Sequence, residues 1–349
     1  MMMSRTVIDS TTGEISQQSI ERRCGTRLHS ECEHCSTIYK REATKVLQSG
    51  VIDESGNPLL ITMLTLTAPS SKRFGKTHTR IKTTSGKYRP CYCGEWHDEA
   101  SRLLGLPIDP DTYDYTAAAE FNRNATRLFA VTLQKLNRVL GRSRGNNLRV
   151  ARVVEYQRRG LVHIHALVVG RISQDVLNLV VRGGVNPRTG YKVKAASSNG
   201  WQWGPKCDAS VRPAVQAAAY VRKVVSYAVK DTVSSAGGVG VHASRMSEAG
   251  AVARKCECFA NHCAYGRRVV RMGNEYLYIK NPSSLICRRR RSGRKNWGFT
   301  GHVLSKTRNW PMTFGQLREA RRQYAMALAP TTLVPLSPWS KPIPVRRDE

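Results

Sequence analysis

Alternating apolar and polar positions predict a pair of strands near the middle of the chain. Residues 161–169 read Leu-Val-His-Ile-His-Ala-Leu-Val-Val. Successive side chains of a strand point to opposite faces, so His163 and His165 share one face while Val162, Ile164 and Ala166 share the other. The segment before it turns at Arg158 to Gly160, so 148–157 and 161–170 form a hairpin. Upstream, 59–67 is apolar, β-prone and ends before Pro69, as a buried strand does. Helical patterns mark 35–48, then 116–140, with Phe121, Leu128, Leu133, Leu136 and Leu140 among the apolar positions and Gly141 near its end. A shorter helix over 174–181 has Ser173 as its cap and Gly183-Gly184 closing it. A last strand is read near Trp201-Gln-Trp-Gly-Pro. The order β-α-β-β-α-β predicts an α+β fold: a split βαβ (ferredoxin-like) antiparallel sheet with helices on one face.

Pro213 then opens a helix that meets no breaker before Lys230. Ala214, Ala217, Ala218, Val221, Val225 and Ala228 form one apolar stripe, which would lie against the sheet. Tyr220 and Tyr227 are seven residues apart on another flank, each followed three residues later by a lysine, Lys223 and Lys230.

Composition changes the picture by naming a partner. The 349 residues carry 56 Lys and Arg against 25 Asp and Glu, a formal charge of +31, with a pI near 10.3. Such an excess points to a polyanion, and neutralising phosphates releases counterions, so nucleic acid is the expected partner. No apolar run reaches the ~20 residues of a spanning helix. The start, Met1-Met-Met-Ser-Arg5, lacks the apolar core of a signal peptide, so a cytoplasmic protein is expected. Arg288, Arg289, Arg290, Arg291, Arg294 and Lys295 form a basic cluster, with Trp297 and Phe299 behind it to stack on bases.

The chemistry then follows from residue types. Two imidazoles on one strand face suit a divalent metal, and folding the hairpin brings Glu155 opposite His163 to complete a His-His-Glu set. Mn²⁺ or Mg²⁺ is the expected ion, although imidazoles also accept Zn²⁺ or Cu²⁺. The bland alternatives are that the His-x-His pair is mere composition and that the tyrosines are amphipathic edge residues. The ten cysteines are not read as a disulfide framework. Cys32-x-x-Cys35 and Cys91-x-Cys93 are two close pairs that would clamp one structural Zn²⁺, with Cys24, His34 and His97 as nearby substitutes. Cys256, Cys258, His262 and Cys263 lack a second matching pair, and Cys207 and Cys287 read as small packing residues.

Taken together, these residues resemble the HUH endonuclease superfamily, specifically the replication initiators of actinobacterial rolling-circle plasmids and integrative elements. The resemblance rests on Arg23-Cys-Gly-Thr-Arg-Leu28 with the Cys-x-x-Cys, Leu64-Thr-Leu-Thr-Ala-Pro69, Tyr113-Asp-Tyr115, Glu155-Tyr-Gln-Arg-Arg-Gly160 leading into His163-Ile-His165, and Trp297-Gly-Phe-Thr-Gly-His302. It implies that His163 and His165 hold the catalytic metal and that Tyr220 or Tyr227 is the nucleophile. The two Tyr-x-x-Lys units stand three residues further apart than is usual in that family. Tyr220, after three alanines that leave room for DNA, is the preferred nucleophile, with Lys223 as helper and Tyr227 as a second nucleophile for termination. The implied layout is a loose N-terminus (1–20), a cysteine-rich region interleaved with the first core strand (21–112), the endonuclease core (113–235), a basic DNA-binding region (236–330) and a disordered tail (331–349).

A phenol of ordinary pKa is protonated at neutral pH, a handicap of about 4 kcal/mol if phenolate is needed. A nearby lysine and a Lewis-acid metal would offset it. Tyrosine attack leaves a 5′-phosphotyrosine and a free 3′-OH, which the resemblance assigns to rolling-circle replication with a host helicase and DNA polymerase as partners. Two other readings stay open: a relaxase or single-strand transposase with the same chemistry, and a non-enzymatic, zinc-containing DNA-binding regulator.

Overall fold

The computed structural model describes residues 2–8, 12–13, 15–21, 24, 26–70, 73–143, 145–229, 240–253, 267–272, 275–280 and 296–327. Its centre is an antiparallel sheet of five strands: β1 (Ile61–Leu66), β2 (Val150–Tyr156), β3 (Val162–Val169), β4 (Asp208–Arg212) and β5 (Leu304–Lys306). They lie in the order β4-β1-β3-β2-β5. The described helices are α1 (Glu33–Gln48), α2 (Tyr115–Val139), α3 (Gln174–Arg182), α4 (Ala217–Val229), α5 (Val241–Ala253) and α6 (Phe314–Ala327). From β1 to β4 the chain therefore runs β-α-β-β-α-β, in the predicted order. The last of these strands begins at Asp208 rather than at Trp201. Trp201 and Trp203 are instead buried core residues, and the Trp203 indole N–H donates to Thr132 Oγ1 at 2.9 Å.

Local chemistry sets the helix ends. The Asp114 carboxylate accepts from the Ala117 N–H at the start of α2, and Ser173 Oγ from the Val176 N–H at the start of α3. Helices cover both faces of the sheet, not one. Leu64, Leu66, Val154, Val162, Ile164, Ala166 and Val168 pack with Phe121 and Leu128 of α2, Leu177 and Val180 of α3 and Met246 of α5. On the other face Ile61, Met63, Ala151, Val153 and Leu167 meet Ala43 and Leu47 of α1 and Ala217, Val221, Val224, Val225 and Ala228 of α4. The inner strands are apolar on both sides, so neither face can be left to water.

Near the N-terminus, Met2–Ile8 pairs with Ile15–Glu21 as an antiparallel hairpin. Among the described residues after 236, α5 and residues 297–304 supply Met246, Trp297, Phe299 and Leu304 to the two cores. Trp297 and Phe299 are 0% and 2% exposed, so they hold the fold and cannot stack on bases. Gly298 between them has a left-handed φ of +84° and passes so close to α2 that a Cβ would sit 2.5 Å from the Ala119 carbonyl oxygen. The tail 331–349 lies outside the described residues.

Asn122 of α2 ties these parts together. Its amide donates to the Gly160 carbonyl at 2.8 Å and to the Trp297 carbonyl at 2.9 Å, and its oxygen accepts from the Val162 N–H at 2.8 Å. All are buried, so Asn122→Ala strands three polar groups. We expect a loss of about 2–4 kcal/mol, measured as a lower denaturant midpoint; an unchanged midpoint would refute this role.

Candidate functional site

β2 and β3 pair with Glu155 directly opposite His163 and Val153 opposite His165. Alternation then puts Glu155, His163 and His165 on the face that also carries Val153 and Leu167, the face covered by α1 and α4. The two imidazole rings are 4.6 Å apart, centre to centre. The Glu155 carboxylate reaches past its register partner to His165, with Oε2 3.3 Å from Nε2. Thr67 Oγ1 lies 3.3 Å and Gln157 Nε2 3.5 Å from His163 Nδ1, two neighbours the pattern of the sequence did not single out. Burial, with the nearby His165, drives the His163 pKa down to about 4 against the opposing pull of Glu155. Its imidazole is therefore neutral at physiological pH, the state in which it can act as a metal ligand.

The turn between the strands is fastened from several sides. Gln157 Oε1 accepts from Arg159 Nε at 2.9 Å, and the Arg159 guanidinium donates to the carbonyls of Pro69 at 2.8 Å and Ala68 at 3.3 Å. The Tyr113 hydroxyl donates to the Arg159 carbonyl at 2.7 Å. His242 of α5 places Nε2 3.0 Å from the Arg158 carbonyl and Nδ1 3.1 Å from the Tyr115 hydroxyl. A carbonyl only accepts, so Nε2 carries the proton and Nδ1 accepts from Tyr115; burial keeps this ring neutral. Tyr113-Asp-Tyr115 thus braces the hairpin.

α4 follows β4 and lies across the His-bearing face. Its first turn is a 3-10 helix, Ala214–Gln216, and the α-helix starts at Ala217. Val221, Val224, Val225 and Ala228 are buried, and Lys223 is exposed. Tyr220 is half-buried against this core, with the Arg212 guanidinium 4.7 Å from its ring centre. Lys230 lies outside the described residues, and Tyr227 is placed by its backbone.

The direction of α4 separates the two tyrosines. β4 runs away from the histidines: Asp208 pairs with Thr65, which faces His165, and Arg212 pairs with Ile61, which faces Val169. Four residues along β3 separate Val169 from His165, about 13 Å. α4 starts at that far end and returns. The carbonyl of Ala228 accepts from Arg27 Nη1 at 2.8 Å. Tyr227 precedes Ala228, and Tyr220 lies about 10 Å back along the axis, nearer the end of β4.

The four cysteines predicted to share one zinc are divided between two places. Cys32 and Cys35 join Cys24 at the start of α1, while Cys91 and Cys93 join His78 and His97 in the segment between β1 and α2. His97 was a named substitute; His78 was missed, because nothing local links it to cysteines thirteen residues later. His34 belongs to neither group. Cys207 is buried as expected. Among the described residues, only these two groups bring three or more His, Cys, Asp or Glu ligand atoms within 4.8 Å of one another, so His163, His165 and Glu155 are more loosely spaced. Arg288, Arg289, Arg290, Arg291, Arg294 and Lys295 lie outside the described residues, as do Cys256, Cys258, His262, Cys263 and Cys287. A different basic surface is visible. Tyr88, Tyr92 and Trp96 are 44%, 57% and 64% exposed, with Arg80 4.4 Å from the Tyr88 ring centre and Lys76 5.2 Å from that of Tyr92.

Residues 1–339 match the family described as RepSA, replication initiator protein, pSAM2. The chain belongs to the RepSA family. A replication initiator protein of Streptomyces ambofaciens is 27% identical over 385 residues, covering 95% of this chain and 80% of that protein. No solved structure matches. Replication initiation is accordingly the role of this RepSA-family chain. Among its described residues, no helix is long and apolar enough to cross a membrane.

Proposed function

We propose that this RepSA-family initiator is an HUH-type endonuclease that nicks one strand of its origin DNA through a tyrosine of α4. One observation carries the reading: the helix with Tyr220 and Tyr227 packs on the sheet face that holds His163, His165 and Glu155. The sheet order β4-β1-β3-β2 and the β-α-β-β-α-β sequence agree with a split βαβ core.

The donor types suit a divalent cation, which would draw together ligand atoms that stand more loosely spaced than 4.8 Å. Two imidazoles, one of them held neutral, stand beside a carboxylate on adjacent strands, a mixture that suits Mn²⁺ or Mg²⁺. Such an ion, when bound, polarises the scissile phosphate and offsets its charge. The chain's own groups do the rest. The tyrosine hydroxyl loses its proton and its oxygen bonds to phosphorus; the bond from phosphorus to the 3′ oxygen breaks, and that oxygen takes up a proton. The products are a 5′-phosphotyrosine and a free 3′-OH, with the number of phosphoester bonds unchanged, so the strand can later be rejoined. We favour Tyr227 as nucleophile, because α4 begins at the end of β4 away from the histidines and Tyr227 lies seven residues further along it than Tyr220, and Lys230 is the lysine spaced to help it. This reverses the preference for Tyr220 drawn from its alanine neighbours. A free 3′-OH primes rolling-circle synthesis by a host polymerase, with a helicase to open the duplex. The +31 charge and the exposed Tyr88, Tyr92 and Trp96 beside arginine and lysine suit single- and double-stranded DNA.

The test is intact-mass analysis of the full chain after incubation with single-stranded origin DNA and Mn²⁺. A mass increase equal to the 5′-phosphorylated downstream fragment is expected. Tight binding with no adduct and no nick on a supercoiled plasmid would favour a DNA-binding regulator instead.

A further inference from the structure

We propose that His78, Cys91, Cys93 and His97 form a structural zinc site that staples the lobe between β1 and α2. The lobe, residues 73–112, has almost no interior of its own: between Thr77 and Pro107, Cys91 is the one buried residue. A segment of this size without an apolar core needs a cross-link to keep one shape. Its two cysteines are not joined in a disulfide.

The four ligand atoms lie within 4.8 Å of one another. His97 Nε2 is 3.0 Å from His78 Nδ1 and 3.2 Å from Cys93 Sγ. Around a tetrahedral zinc, with Zn–S near ~2.3 Å and Zn–N near ~2.0 Å, ligand atoms stand roughly 3.3–3.8 Å apart. A hydrogen bond between the rings would account for one of these approaches, but not for two sulfurs converging on the same point.

The backbone prepares the thiols. The Cys91 N–H donates to the Glu95 carbonyl at 2.8 Å and the Gly94 N–H to the Cys91 carbonyl at 2.9 Å, closing a tight loop over Cys91-Tyr-Cys93-Gly94. Gly94 takes the left-handed φ of +91° that this loop requires. The Thr79 N–H donates to Cys91 Sγ at 3.3 Å. Two thiols and two imidazoles with converging ligand atoms make a closed N2S2 set, which selects zinc and leaves no open position for catalysis.

The staple would also reach the hairpin. The His78 N–H donates to the Leu106 carbonyl at 2.9 Å, and the Gly105 N–H returns to the His78 carbonyl at 2.8 Å. The segment just before holds Arg158, whose Nη1 donates to the carbonyls of Ser101 at 3.1 Å and Arg102 at 3.0 Å. Arg158 belongs to the turn between Glu155 and His163, so zinc at this site would stiffen that turn from outside. The inference does not depend on nicking.

The experiment compares zinc bound per full-length chain after dialysis against metal-free buffer, for the natural protein, Cys91→Ser/Cys93→Ser and Cys32→Ser/Cys35→Ser. The natural protein should hold zinc, and the first variant should lose one equivalent that the second retains. Equal zinc in the natural and Cys91→Ser/Cys93→Ser proteins would overturn the proposal. If that variant does not fold, Co²⁺ loaded into Cys32→Ser/Cys35→Ser decides. Visible bands of a tetrahedral site with thiolate charge transfer support the assignment, and their absence refutes it.

Discussion

His163→Ala or His165→Ala should reduce nicking of origin DNA by on the order of 10³-fold while leaving duplex binding nearly unchanged. The imidazoles lie on a strand beneath α4, and neither is part of the apolar contacts that hold the helix. Removing one deletes a metal donor without opening the core. Binding should persist because contacts to DNA phosphates come mainly from arginine and lysine elsewhere on this +31 chain. His163 itself stays neutral into acid: its pKa is held down to about 4 by burial and by His165, so it remains a neutral donor as pH falls through 6, where an exposed histidine would already be protonated. An NMR titration of the metal-free protein that finds the His163 ring protonating near the ordinary histidine pKa would show that it is not shielded in this way. Nicking that survives in the double alanine variant would remove the pair from the mechanism altogether.

Tyr227→Phe should abolish the covalent adduct, and Tyr220→Phe should keep it. Phenylalanine removes the hydroxyl and leaves the ring, so a loss of adduct reports chemistry rather than packing. For Tyr220 the retained ring keeps the contact with the Arg212 guanidinium and with the core, and little should change. For Tyr227 the loss should be complete, since no water or neighbouring group can take over a protein–DNA bond. Circular dichroism melts of both variants should match the natural protein. The decisive contrary result is an adduct on Tyr227→Phe that is missing on Tyr220→Phe. That outcome would move the nucleophile to the part of α4 beside Arg212.

What was legible in the sequence is what short-range periodicity controls. A repeat of two places His163 and His165 on one face, and a tight turn at Arg158 to Gly160 sets Glu155 opposite His163, so the register follows from the turn. The apolar repeat of α4 and the Ser173 cap likewise act within a few residues. The carboxylate's diagonal reach to His165 depends on side-chain rotamers that register leaves open. Other questions concern residues far apart in the chain, and the tertiary structure decided them. Cys32 and Cys35 pair with Cys24 rather than with Cys91 and Cys93, because the path of the chain between them is set by packing and not by spacing. His78 reaches His97 only once the lobe has folded back on itself. Trp297 and Phe299 look like base-stacking aromatics beside an arginine run, yet they fill the core, because the return of the chain to β5 carries them across α2. The two tyrosines are equivalent by helical periodicity, because periodicity fixes the angle of a side chain about its helix, whereas only packing fixes how that helix lies across the sheet.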